Sequence, residues 1–458
     1  MIAALRSPRA APWLLASLAL VPLARGGFVA GLGTTLALTC AAVAAAHARA
    51  RTHDAAAPAA PAPTSRSATR LTWIVALAAL WTACALLPLP EAVRSVLAPG
   101  ATALDRALGR APGSAPLTQD PAATRVAVLA LGVGLALAAA ARRVAADGAA
   151  RRLLMLAIVA GAAGVALLGI AETFLGRPLI HPDLPPHARP FGPFANRNHA
   201  ASLLVLALPL ALGLARAAER DRAPRRATPW IAAAALLVMA LLVNGSRGGT
   251  LTALALLAFT FALARLRPWV KVAAATGLAL AFVLPGSAWT RRADTITVGE
   301  RVALARDALT MTRDAPLTGI GLGAFSAAYP PYQSVAKDLR FRHVESEPFE
   351  LLVEGGVPLL VLALAAGAIL ASLAARMFRA TRDPLAKAIA VSAVAVPIHA
   401  CFDFPLRVPG VVVPWLLVVG SLIALADAAQ RGAPRRACAA PRVRRAASAP
   451  PRLEGAAS

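Results

Sequence analysis

The sequence predicts an all-α, polytopic integral membrane protein, and three observations predict it: how apolar the chain is, how its apolar runs recur, and where its basic residues fall. Of 458 residues, 58% are hydrophobic, and the mean hydropathy of +0.65 leaves too little polar surface to cover a soluble core of this length. Twelve apolar stretches able to cross a hydrocarbon layer of about 30 Å recur along the chain. They lie near 10–24, 28–46, 71–90, 124–141, 153–171, 199–215, 228–243, 248–264, 268–286, 349–375, 385–403 and 408–427. With the N-terminus placed inside, the inner segments hold 29 of the 47 Lys and Arg residues but only 7 of the 22 acidic ones, so a net charge of +25 divides into +22 inside and +3 outside. Short cytoplasmic loops accumulate Lys and Arg in this way. An even number of spans follows, with both termini cytoplasmic.

Taken in order, residues 1–50 form an N-terminal membrane hairpin. Its first span has only 15 residues between Arg9 and Arg25. That length alone would suit a signal peptide, but no small-residue cleavage site precedes a soluble domain. Residues 51–70, rich in Ala, Pro, Ser and Thr, read as a disordered inner linker, residues 71–430 as the polytopic domain, and residues 431–458 as a basic disordered tail. The outer loops at 91–123 and 172–198 are moderate, those at 244–247 and 404–407 are tight turns, and 287–348, between spans nine and ten, is the largest. Only this last loop has room for a small substructure. Within it, residues 299–313 read as a short interfacial helix.

The basic excess does not mean nucleic acid, because the arginines are dispersed over inner loops rather than gathered with aromatics on one face; anionic membrane lipids are the simpler partner. Cys40, Cys84, Cys401 and Cys438 form no CxxC pair and imply neither a disulfide framework nor a metal site. No DxD motif and no Walker loop is present, which argues against nucleotide-driven chemistry. A carrier would place charges near the bilayer midplane in two related halves, whereas here the ionisable groups fall at the outer ends.

The polar clusters all map to the outer face. Asn196, Arg197, Asn198 and His199 stand before an apolar span, as a capping turn would or as a polar mouth for a glycan or phosphate. Arg247, in NGSRGG, is either an interface anchor or an anion-binding cation on an open backbone. GIGLGAF lacks the strand context of a dinucleotide fingerprint and reads as a flexible turn. His399 and Asp403, four apart on one expected helix, share a face and suit a cavity or a structural pair. His343 and Glu345, two apart in an expected extended stretch, are followed by Glu347, Glu350 and Glu354: a solvated acidic edge, or a general base at the membrane surface.

The order of these pieces resembles the O-antigen ligase and O-antigen polymerase superfamily of bacterial membrane glycosyltransferases. Between about 190 and 407 stand GPFANRNHAASLLVLALPLAL, then SRGG, then ER followed by ALTMTRDAPLTGIGLGAFSAAYPPY, then HVESEPFELLVEGGVPLL, and HACFDFPLRVP. The resemblance implies metal-independent transfer, without a cofactor, of a glycan from undecaprenyl diphosphate. The acceptor is a hydroxyl of lipid A core, glycan or protein at the periplasmic face. Arg247 and Arg301 match the family's paired arginines and are implied to hold the diphosphate, while Asn196, Arg197, Asn198, His199, His399 and Asp403 are expected to line the substrate cavity. The sequence departs at the base: aligned on Glu354, the family's His position holds Glu345, with His343 two residues upstream. As a free residue His343, with a pKa of about 6.5, is the better base at pH 7; Glu345, at about 4.3, needs desolvation.

Ligase, polymerase and protein-glycosylating readings share this chemistry, and the non-enzymatic rival is an exporter or flippase of lipid-linked glycan. The topology has its own test. A cysteine placed in 330–340 is expected to react with a membrane-impermeant maleimide from outside, and cysteines near 51–70, 142–152, 216–227 and 376–387 only after the inner face is opened. Labelling of 330–340 only from inside would refute the shared outer face.

Overall fold

Ala and Leu, which lose little on entering a helix, supply most of the chain, and helices satisfy every backbone group where no water can. The computed structural model describes residues 10–23, 65–107, 109, 111–184, 189–263, 298–335 and 340–432. Their helices are α1 (Ala10–Leu18), α2 (Arg66–Cys84), α3 (Glu91–Leu97), α4 (Pro99–Ala107), α5 (Pro121–Val144), α6 (Gly148–Leu175), α7 (Arg197–Arg220) and α8 (Pro224–Asn244). They continue with α9 (Arg247–Leu263), α10 (Val298–Asp314), α11 (Phe325–Ala328), α12 (Glu347–Ala380), α13 (Pro384–Ala393), α14 (Ala395–His399) and α15 (Pro409–Gly432). Among the described residues there is no strand, only isolated bridges such as Phe191 with Phe194.

Seven of these helices, α2, α5, α6, α7, α8, α12 and α15, are long and apolar enough to cross a membrane; α9 and the α13–α14 pair are apolar but shorter. The all-helical polytopic expectation is met in that form. The spans expected at 28–46 and 268–286, the linker before Ser65 and the basic tail lie outside the described residues. α7 and α15 are buried along most of their length, whereas α2 and α5 turn apolar side chains such as Trp73, Leu80 and Leu129 outward. Outward apolar side chains are what a lipid solvent selects. α1 packs against α6, where Leu15 and Leu18 are fully buried.

Two expected continuous spans are broken, each for a local reason. Gly356 in α12 adopts φ 68°, ψ −175°, two residues before Pro358. Its backbone meets Pro316 and Leu317 closely, with no room for a Cβ, and Trp81 Nε1 donates to the neighbouring Gly355 carbonyl at 2.9 Å. The span at 385–403 divides at Val394 into α13 and α14, and Trp415 Nε1 donates to the Ala393 carbonyl at 2.8 Å. Broken helices need such partners for their freed carbonyls.

The described part of the large loop has a core of its own. Leu304, Ala308 and Met311 of α10 pack on Phe325, Tyr329, Phe341 and Val344, while Asp307 accepts from Tyr329 Oη at 2.8 Å and from Ser334 N at 3.0 Å. The GIGLGAF turn is packed and specific rather than flexible. Gly319 and Gly321 have φ of 64° and 100° and lie against Glu354 and Thr118, with no space for a side chain, and Ile320 N and Gly321 N donate to the Val353 and Glu354 carbonyls.

At the other end of the bundle, Asp427 of α15 accepts from Ser65 N at 2.8 Å and from Arg142 Nε at 2.7 Å, which ties α2 and α5 to the buried helix. Asp427→Ala is expected to lower stability by about 1–3 kcal/mol, the cost of leaving a buried N–H and a partly buried cation without their acceptor. A thermal melt of the detergent-purified protein measures it; an unchanged midpoint would reduce the bond to an incidental contact.

Candidate functional site

Glu347, Glu350 and Glu354 recur at i, i+3 and i+7, so one face of α12 carries all three, and all three are buried. Their counter-charge comes from the 3-10 turn at 405–407. Arg407 Nε lies 3.4 Å from Glu347 Oε2 and 3.3 Å from Glu350 Oε1, and Nη2 lies 2.7 Å from Glu354 Oε2. Burial alone would lower the pKa of this guanidinium, but the three carboxylates outweigh it and raise the value, so Arg407 stays charged. The acidic edge is therefore an interior ion cluster, not a solvated face. It also fixes its surroundings: Glu354 Oε1 accepts from Phe325 N at 3.1 Å, and Glu350 Oε2 from Val344 N at 3.1 Å.

His343 sits on this cluster. Its Nδ1 is 2.7 Å from Glu350 Oε1, and its ring stacks on Phe404 at 4.0 Å. In the tautomer that donates Nδ1–H to Glu350, the Nε2 lone pair is left for another partner. Burial first, and then the charge of Arg407, lower the His343 pKa to about 4. Glu345 does not continue an extended strand as expected, since its φ is +63°. That turn separates it from His343 and directs it to Arg301, whose Nη2 is 3.5 Å from Glu345 Oε2 and whose Nη1 donates to the Phe402 carbonyl at 3.2 Å. Burial, with the Asp403 charge behind it and Arg301 opposing, raises the Glu345 pKa to about 7.

Beneath Phe404 lies the second histidine cluster. His199 meets the Phe404 ring edge-on at 4.7 Å. His199 Nε2 is 3.7 Å from Asp403 Oδ1, His399 Nε2 is 3.6 Å from Asp403 Oδ2, and His399 Nδ1 is 3.1 Å from Thr252 Oγ1. Asp403 and His399 are fully buried. The pair thus forms although α14 ends at His399, because the following turn keeps the four-residue offset.

The asparagines act mainly on the backbone. Asn196 Oδ1 caps α7 by accepting from Asn198 N at 2.9 Å, and Asn198 Oδ1 accepts from Ser246 Oγ at 2.8 Å. Asn244 Nδ2 donates to the Arg197 carbonyl at 3.0 Å. Together they lock the start of α7 to the α8–α9 turn and set Arg247 at the first position of α9. The next residue, Gly248, packs against Phe402 and His399, so Arg247 begins the helix that meets the same 399–402 turn whose carbonyl binds Arg301.

Residues 232–364 match the family model described as O-antigen ligase. That segment is under a third of the chain, and the match is a likeness of this part to the O-antigen ligase family. No curated protein matches the chain. The matched family is of glycosyltransferase or ligase type. The matched segment runs from α8 into α12 and includes Arg247, Arg301, His343, Glu345 and the three α12 glutamates. The 196–199 and 399–407 clusters fold onto it from outside. Arg407 and Phe404 were not singled out in the sequence, although both stand in the quoted HACFDFPLR. The available signal was the three-glutamate helical face, which needs a cation.

Opposite shifts at neighbouring residues give a stability test. Glu345 goes from 4.5 to about 7 on folding, so it contributes stability below 4.5 that is lost as pH rises through 7. His343 goes from 6.5 to about 4, so its contribution is present above 6.5 and lost as pH falls through 4. The melting midpoint of Glu345→Gln relative to wild type is expected to rise between pH 5 and pH 8, and that of His343→Gln to rise between pH 7 and pH 4. Differences independent of pH in both variants would contradict the burial of these groups.

Proposed function

We propose that the protein transfers a glycan from undecaprenyl diphosphate to an acceptor hydroxyl at the periplasmic face, as a ligase in surface polysaccharide or lipopolysaccharide assembly, with Glu345 as the general base. The observation that carries this reading is the exchange of basicity between the two candidates. Burial brings Glu345 to about 7 and leaves His343 near 4, and a base works best with a pKa near the operating pH. Glu345 also occupies a left-handed backbone conformation, a strain of about 1–3 kcal/mol that proteins tend to keep at working sites.

In the proposed step Glu345 takes the acceptor's proton as its oxygen bonds to the anomeric carbon. The bond from that carbon to the diphosphate oxygen breaks, and its electron pair leaves with the diphosphate. Negative charge grows on the leaving group, where Arg247 and Arg301 supply planar, always-charged donors suited to phosphate. Arg301 is partly exposed and held at one end by the Phe402 carbonyl, so it can serve Glu345 and the diphosphate from one place. His343, fixed by Glu350 and Phe404, lines the same site and orients the acceptor through Nε2.

The decisive assay incubates the protein in lipid with undecaprenyl-diphosphate oligosaccharide and candidate acceptors, followed by mass analysis. Glycan on the acceptor supports the ligase, longer carrier-linked chains indicate a polymerase, and unchanged substrate favours the exporter. Glu345→Gln is expected to lose about 10²-fold or more in rate with donor affinity retained, and the acid limb of the wild-type pH profile should fall below about pH 7. Arg247→Lys and Arg301→Lys should each lower the rate, by up to about 10²–10³-fold, and a chelator should leave it intact. Normal turnover in Glu345→Gln with a large loss in His343→Gln would transfer the base to His343.

A further inference from the structure

At the end of the bundle opposite the candidate site, a cavity of about 210 Å³ opens between the start of α6, the end of α7 and the start of α13. Arg151, Arg152 and Arg220 line it, with Asp221 and Asp383. Two of the guanidinium groups are held in place by backbone carbonyls: Arg151 Nη1 donates to Ala145 at 2.7 Å, and Arg220 Nη1 to Arg382 at 3.3 Å. Arg151 Nη2 lies over Gly148, where a Cβ would stand 3.7 Å away. Asp383 is engaged as the cap of α13, accepting from Leu385 N at 3.0 Å. Three guanidinium-bearing residues thus line one cavity, on helix ends whose positions are set by capping.

The geometry points to a binding site for the phosphodiester of an anionic phospholipid from the inner leaflet. Three arginines outnumber the two aspartates of the lining, and Asp383 and the nearby Asp147 are both engaged as helix caps, so the cationic donors suit a lipid phosphodiester. The cavity belongs to the inner loops of the basic-residue pattern, where Arg142, Arg143, Arg216, Arg225, Arg226, Arg376 and Arg379 also fall. Such a surface enriches anionic headgroups nearby, and a planar guanidinium can bind two phosphate oxygens at once. A lipid bound here would bridge α6, α7 and α13. α7 begins at the Asn196 cap, and α13 leads through α14 to His399. The inference is independent of the transfer reaction.

Native mass spectrometry and thermal melts of the full-length protein in detergent test it, with phosphatidylglycerol, cardiolipin, phosphatidylcholine and inorganic phosphate added separately. Phosphatidylglycerol or cardiolipin is expected to remain bound and to raise the melting midpoint, whereas phosphatidylcholine does neither. Arg152→Gln removes a cation that has no backbone role among the described contacts, and should weaken anionic lipid binding about tenfold or more. Arg226→Gln, an exposed inner arginine outside the cavity, should change it little. The triple variant Arg151→Gln, Arg152→Gln, Arg220→Gln should abolish the shift. Equal stabilisation by phosphatidylcholine, a shift with inorganic phosphate but none with lipid, or equal losses in Arg152→Gln and Arg226→Gln would overturn the site.

Discussion

Arg407 among Glu347, Glu350 and Glu354 is the interaction on which the site depends. A guanidinium removed from water is tolerable only when its charge is met and its donors are used. The three carboxylates are likewise tolerable only around a cation. Interior ion clusters add little net stability compared with apolar packing, yet removing one member costs several kcal/mol because the rest stay buried and unpaired. The cluster therefore decides which surfaces can meet. Through Glu354 it holds the 319–325 turn, through Glu350 the 343–344 segment, and through Arg407 itself the turn that presents Phe404 and Asp403.

The same removal from water sets the chemistry above the cluster. An imidazole and a carboxyl respond to burial in opposite directions, because each favours its uncharged form. At Glu345 the neutral form is the protonated one, so its proton affinity rises; at His343 the neutral form is the deprotonated one, so its affinity falls. Arg407 adds to the effect on His343, and Asp403 to that on Glu345. The acid that would be a weak base in water becomes the stronger base of the two. Sequence position alone could not show this, since it depends on which charges fold to within reach.

Helical class, seven of the long spans and the clustering of polar motifs at one end of the bundle are legible in the sequence, because apolar run length survives without knowledge of contacts. The breaks were less legible. Gly356 before Pro358 is a visible signal, but the φ of 68° follows from the packing of residues 316–317 against it. The division at Val394 has no sequence mark as clear, since its freed carbonyl is met by Trp415 from another helix. In the site, the His399–Asp403 pair was readable from a four-residue offset on one element. Arg407 with the α12 glutamates was not, as their partnership spans about fifty residues and was hidden among 44 arginines. The glycine-rich turn misled for a related reason: glycine permits flexibility, but here it permits close approach.

What holds Glu345 in its left-handed conformation is the rigidity on either side of it. Val344 N is bound to Glu350, Ser346 Oγ donates to the Cys401 carbonyl at 3.2 Å, and Glu347 N donates to the Ala400 carbonyl at 3.0 Å. The residue between these anchors has little choice of φ and ψ, and so the strain is carried by bonds that also form the start of α12. This divides the acidic residues by role. Those on the helix, at 347, 350 and 354, face Arg407, and Glu350 and Glu354 also hold the loops. Glu345, two residues before the helix and outside the cluster, reaches instead toward the partly exposed Arg301. What separates the two kinds of carboxylate is access: those inside the cluster are buried against Arg407, whereas Glu345 stands at its edge beside a partly exposed cation.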